Sequence, residues 1–188
     1  MEQKLYDTVT DCPVIAAIKD DAGLERCLDS DIQIVFVLYG DIVSIPEIVD
    51  RIKKKGKLAM VHADLISGLA GKEIAIDFLK RNTQADGIIS TKPSLIKKAK
   101  EMSMYTVLRV FLLDSMAFEN IRQQQHMIKP DFIEVLPGVM PKIIAQISHS
   151  VKVPIIAGGL ITDKEDVMGA LSAGAMAVSS TNHKVWNM

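Results

Sequence analysis

The chain has 188 residues, with 22 Lys plus Arg against 23 Asp plus Glu for a formal net charge of −1, and it is 48% apolar and 24% charged. That length predicts one domain over 1–188 with a full core, and the composition excludes a disordered chain, a low-complexity chain and a uniformly basic nucleic-acid binder. The longest unbroken apolar run, residues 34–39, is far short of a membrane span, and no apolar stretch follows Met1-Glu2-Gln3-Lys4 as a secretion signal requires, so a cytoplasmic protein with no membrane contact is expected. Cys12 and Cys27 have no metal-type spacing and are expected to be reduced thiols.

In chain order, short apolar runs, many of them rich in β-branched residues, fall at 14–18, 34–38, 58–61, 87–89, 106–111, 132–135, 153–157 and 175–178. Runs of this kind suit strands buried on both faces of a parallel sheet. Amphipathic stripes lie between them: Ile45, Ile48, Val49 and Ile52; Ile74, Phe78 and Leu79; Val139, Ile143, Ile144 and Ile147. Ser44 with Glu47 and Thr162 with Glu165 read as capping boxes, Pro93 and Pro141 as first-turn prolines, and Gly56 and Gly174 as helix ends. Eight strand–helix units at a spacing near twenty residues predict an α/β fold, a compact TIM (β/α)8 barrel with short helices, its last helix reduced to residues 183–188. The alternative is an open doubly wound sheet, which wants a Gly-rich first turn where this chain has Lys19-Asp20-Asp21.

In such a barrel the loops after strands seven and eight commonly hold phosphate. Here they carry Gly158, Gly159 and Leu160, then Ser179, Ser180 and Thr181. Glycine lets backbone N–H groups approach phosphate oxygens and the hydroxyls add donors; neither loop has Lys or Arg, so backbone dipoles would carry the recognition. The bland reading is a tight turn followed by a capping run. Lys19, His62, Asp64, Thr91 and Lys92 fall at strand carboxyl ends, the functional face of a barrel. Arg109 and Glu134 lie inside apolar strands, where each must be paired or ligand-facing; a cross-strand ion pair and a ligand contact are both open. His62 and Asp64 have no second histidine placed to complete a metal site, so no metal is expected.

These segments together resemble the glycerol-3-phosphate-responsive antiterminator regulators of glycerol-uptake operons. The resemblance rests on Asp11-Cys-Pro-Val-Ile-Ala-Ala-Ile-Lys19, Val61-His-Ala-Asp-Leu65, Gly87-Ile-Ile-Ser-Thr-Lys92, Ile133-Glu-Val-Leu-Pro-Gly138, Ile156-Ala-Gly-Gly-Leu-Ile161 and Ala177-Val-Ser-Ser-Thr181. It implies a TIM barrel, glycerol 3-phosphate as effector with no cofactor, and binding to leader mRNA so that transcription passes a terminator. It adds Gly138, in the fourth of these segments, to the polar and backbone groups around the ligand.

For RNA, the basic run Arg51, Lys53, Lys54, Lys55 and Lys57 and the group Lys97, Lys98 and Lys100 are the candidates, against the plainer reading that they complement helix carboxyl-terminal dipoles. A near-neutral monomer would bind RNA weakly, which favours a homo-oligomer that adjoins such patches. The segment 64–72, with Gly68 and Gly71, is either a lid over the mouth or a long surface loop. The competing function on the same barrel is a small phospho-sugar epimerase or isomerase with Asp64 or Glu134 as base; the non-catalytic regulator is favoured.

Overall fold

The eight apolar runs pair in parallel and in chain order into a closed barrel, in a computed structural model that describes residues 2–188. The strands are β1 (Val14–Ile18), β2 (Ile34–Val37), β3 (Leu58–His62), β4 (Gly87–Ser90), β5 (Tyr105–Phe111), β6 (Phe132–Leu136), β7 (Ile155–Gly158) and β8 (Ala177–Ser180). The helices are α1 (Glu2–Asp11), α2 (Asp21–Leu28), α3 (Ile45–Lys54), α4 (Ile74–Asn82), α5 (Pro93–Glu101), α6 (Ser115–Ile128), α7 (Pro141–Ser150), α8 (Lys164–Ser172) and α9 (His183–Trp186). The (β/α)8 expectation therefore stands, including the short last helix.

Side chains alternate across each strand, so every strand feeds two cores. Ile15, Ala17, Ile34, Phe36, Leu58, Met60, Val107 and Ile156 fill the barrel interior. Their neighbours Ala16, Ile18, Val35, Val61, Leu108 and Val135 pack outward against the helices. Leu5 and Val9, four residues apart on α1, join the interior cluster beside Tyr105 and Phe132, so this helix closes the amino-terminal end of the barrel. The repeat pattern does not announce α1, because it precedes the first strand and belongs to no strand–helix unit.

The same alternation, carried two residues toward the carboxyl ends, turns His62, Arg109, Glu134, Gly158 and Ser179 inward, and there the filling changes from apolar to polar. Two caps differ from expectation. Ser44 is already helical and makes no side-chain cap; Asp41 Oδ1 instead accepts from the N–H groups of Val43 and Ser44. The cap of α8 is Asp163, which accepts from Asp166 N–H, while Asp166 accepts from Thr162 N–H at 2.9 Å. The box exists, shifted by one residue. Pro93 and Pro141 do occupy first turns, and Gly56 and Gly174 sit just past helix ends with φ of +75° and +100°.

Candidate functional site

The chain leaves β7 through two consecutive left-handed residues, Gly159 at φ +74° and Leu160 at φ +62°. Leucine pays about 1–2 kcal/mol for that conformation, and its side chain is 70% exposed, so the turn is held for its backbone shape rather than for packing. Opposite, β8 ends in Ser179, Ser180, Thr181 and Asn182. Between these two loops lies a cavity of about 380 Å³, walled by Arg109, Glu134, Leu136, Gly159, Leu160, Ile161 and Thr162 and by residues 179–182, with Ala17 and Leu38 completing the lining.

Arg109 and Glu134 face each other across β5 and β6 in direct register. Arg109 Nε donates to Glu134 Oε2 at 2.6 Å, and Ser179 Oγ donates to Glu134 Oε1 at 2.6 Å. Glu134 is fully buried and Arg109 nearly so, and both still line the cavity. The internal ion pair and the ligand-facing position are therefore one arrangement. It also explains Gly158: a Cβ there would lie 2.5 Å from Glu134 Oε1 and 2.7 Å from Ser179 Oγ. Gly158 is buried, so its missing side chain makes room for this hydrogen bond; Gly159 is the residue that opens backbone to the mouth.

The hydroxyls differ in availability. Ser180 Oγ donates to Ile161 O at 2.7 Å and accepts from Asn182 N–H, so it fixes the loop. Ser179 is committed to Glu134, and Thr181 is exposed at the rim. Asn182 bridges the two loops by donating to Thr162 O at 2.8 Å. Sequence reasoning placed none of Asn182, Thr162, Leu38 and Leu136 at the cavity, reading Thr162 only as a helix cap; the polar run continuing through Asn182 into a helix start was the available signal.

On the far side of the mouth, β3 and β4 present a second polar group. Asp64 Oδ2 accepts from Thr91 N–H (2.7 Å), Ser90 Oγ (2.9 Å) and Thr91 Oγ1 (3.2 Å), and Lys92 Nζ stands 3.5 Å from Oδ1. Burial pushes this carboxyl up, but those hydrogen bonds and the neighbouring His62 and Lys92 charges win and hold it below the usual carboxylate range. His62 is buried with no hydrogen-bond partner on Nδ1, and desolvation, aided by the Arg109 charge, pushes it down to about 4. The unfolded chain then takes up the His62 proton first, so stability is expected to fall as pH drops from 6.5 toward 4, by up to roughly 3 kcal/mol. Urea unfolding of wild type and His62→Gln at pH 7 and pH 4.5 checks this; the variant should lack that part of the acid loss.

Lys19 is exposed at the end of β1 and does not line the cavity. Gly138 is buried, and its N–H donates to Gly159 O at 3.1 Å; a Cβ there would come within 2.9 Å of the Ala157 and Gly158 backbone, so it braces the Gly159–Leu160 turn from behind. Asp20 and Asp114 are helix N-caps. The 64–72 segment is tied to the β2–α3 loop, where Ser67 N–H donates to Gly40 O and Ile42 N–H to Ser67 O, each at 3.0 Å. Among the described residues no cluster of three His, Cys, Asp or Glu side chains could hold a metal ion, and no helix is long and apolar enough to cross a membrane.

The basic run is not a bare patch. Arg51 pairs with Glu25, Lys53 with Asp86 (2.7 Å), Lys54 with Asp50 (2.6 Å) and Lys55 with Asp29 (3.3 Å). Lys57 is buried and donates to the carbonyls of Ser30 and Ile32, both at 2.6 Å, which removes it from any surface. Lys98 pairs with Asp77, and Lys100 with Asp131 and the Lys129 carbonyl. Lys54, Lys55 and Lys97 are the members left exposed.

Comparison with known proteins was made against this geometry. The family model described as glycerol-3-phosphate responsive antiterminator matches residues 14–186. The uncharacterized protein YgcP of Escherichia coli (strain K12) is 47% identical over 176 residues, 94% of this chain and 92% of that protein. The crystal structure of a glycerol uptake operon antiterminator regulatory protein from Listeria monocytogenes str. 4b F2365 superposes with a TM-score of 0.90 at 34% identity, covering 94% of this chain and 95% of that one. A glycerol uptake operon antiterminator-related protein from Thermotoga maritima MSB8 gives 0.82 at 31% identity over 93% and 98%. The deoxyribose phosphate aldolase of Aeropyrum pernix, at 13% identity and a TM-score of 0.71, shares the fold alone.

Proposed function

The chain belongs to the glycerol-3-phosphate responsive antiterminator family, and from that premise we propose that it binds glycerol 3-phosphate in the mouth of its barrel and, so loaded, leader mRNA of glycerol-catabolic genes in the cytoplasm. The family is one of antitermination regulators, not enzymes. The observation that carries the effector reading is the left-handed Gly159–Leu160 turn facing the end of β8 across a cavity floored by Arg109 and Glu134. The phosphate lies against the backbone of residues 159–160 and 181–182 with the Thr181 hydroxyl at the rim. The Arg109–Glu134 pair, rigid and already neutralised, offers donors and acceptors to glycerol hydroxyls. No cofactor enters this scheme.

The RNA reading rests on the family and on the exposed Lys54, Lys55 and Lys97. Single lysines on a near-neutral surface bind phosphates weakly, so a homo-oligomer that repeats them supports the affinity required. The test is in two steps. Glycerol 3-phosphate, followed by NMR, should remain chemically unchanged and should raise the melting temperature, whereas glycerol alone should not. Leader RNA should then be retarded on gels with the effector present and less without it. Combined Lys54→Glu, Lys55→Glu and Lys97→Glu should weaken retardation and flatten its salt dependence. No thermal shift with the effector, or turnover of it, sinks the effector reading; unchanged retardation in the charge-reversed variant moves the RNA surface elsewhere.

A further inference from the structure

Two buried side-chain atoms among the described residues lack a hydrogen-bond partner, His62 Nδ1 and Asp64 Oδ1, and both stand at the carboxyl end of β3. Buried polar atoms are paired in the great majority of cases; here Asp64 Oδ1 has only the Lys92 ammonium at 3.5 Å and His62 Nδ1 has no hydrogen bond, so the place asks for a ligand. In an eight-stranded ring β3 and β4 lie across the mouth from β7 and β8. A ligand anchored by phosphate at the β7–β8 turn has this side of the ring opposite it. His62 faces inward at the end of β3, two residues beyond Met60 of the interior cluster, although neither it nor Asp64 is among the residues that line the 380 Å³ cavity.

We propose, building on the effector reading above, that Asp64, backed by His62 and gated by Lys92, is the residue that selects an alcohol over a carboxylate or carbonyl at the end of the effector distal to phosphate. Asp64 Oδ2 is saturated by Ser90 and Thr91, which aims Oδ1 as a pure acceptor. A hydroxyl can donate to it, and neutral His62 matches the same or the neighbouring hydroxyl through whichever tautomer fits. A carbonyl has no proton to give. A carboxylate meets a like charge that Lys92, already facing Asp64, offsets only in part, and Arg109 is held by Glu134. Lys92 covers Oδ1 on a side chain that is 46% exposed, and so swings aside for the hydroxyl. A Cβ at position 71 would meet this ammonium, so a side chain there displaces it.

The test is calorimetric titration of the full chain with glycerol 3-phosphate, 3-phosphoglycerate and inorganic phosphate. Wild type is expected to prefer the alcohol to the carboxylate by about 100-fold. Asp64→Asn keeps an acceptor for Ser90 and Thr91 and removes the charge, so the preference should shrink to within about 5-fold. Gly71→Ala displaces only the flexible end of Lys92; with the counter-charge gone, the preference should widen by at least about 3-fold. Circular dichroism reports whether each variant is folded, and if Asp64→Asn is not, Gly71→Ala decides. An unchanged preference in a folded variant overturns the assignment to Asp64 and leaves the effector reading intact. A wild type that binds neither glycerol 3-phosphate nor inorganic phosphate overturns the effector reading, and this assignment with it.

Discussion

Replacing Glu134 with alanine is expected to lower the unfolding free energy by about 3–5 kcal/mol, because it leaves the Arg109 guanidinium buried without its partner. For a chain of this size that corresponds to a fall in melting temperature of roughly 6–20 °C. The loss is larger than a solvent-facing pair could give: exposed ion pairs contribute about 0–1 kcal/mol, whereas this carboxylate is fully buried and also accepts from Ser179. The diagnostic comparison is the double variant Arg109→Met with Glu134→Leu. Removing both charges should restore most of the stability, since a buried pair and a well-packed apolar replacement are often nearly equal. Urea unfolding of the two single variants and the double variant gives the coupling directly. A single variant as stable as wild type would mean that the pair is open to water and is not the sealed floor of the cavity.

Gly159→Val is expected to abolish the thermal response to glycerol 3-phosphate while leaving a folded barrel. Valine strongly disfavours φ near +74°, and its Cβ would press within 3.1 Å of Leu136 Cδ2. The turn must then move, and the backbone groups aimed into the mouth move with it. A displacement of about 1 Å in a positioning element is enough to cost on the order of 100-fold in function. The unliganded melting temperature should fall only by a few degrees, because the turn lies at the surface and carries little of the core. Gly158→Ala should behave in the opposite way: it strikes Glu134 and Ser179, so its effect is on stability first. A Gly159→Val protein that still gains the full wild-type thermal shift would show that phosphate sits elsewhere.

These two glycines illustrate what was legible in the sequence. The Gly-Gly pair after the seventh strand points to a phosphate-type turn, but only the inward register of Glu134 and Ser179 reveals that the first glycine serves the interior. Arg109 and Glu134 were visible as interruptions in apolar strands, and alternation is enough to put both inside. The ion pairs of the lysine run were not legible, because sequence proximity hides its partners. Asp86 is 33 residues from Lys53, and Asp29 and Glu25 are each 26 from Lys55 and Arg51. Strand order brings these carboxylates alongside, turning an apparent cationic stripe into a set of ion pairs. The cap of α8 was misplaced by one position because Thr162 and Asp163 are both good capping residues and side-chain direction, not residue type, decides between them. α1 escaped notice because its two inward residues, Leu5 and Val9, are too few to make a stripe.

The abbreviated last helix has a practical consequence. Trp186, the chain's single tryptophan, is buried on α9 and its indole N–H donates to Ser180 O at 2.7 Å, one residue from the rim of the mouth. The molecule thus carries its own fluorophore, wired by one hydrogen bond to the strand end that frames the cavity. Its emission can report on occupancy of the mouth in solution with no label attached.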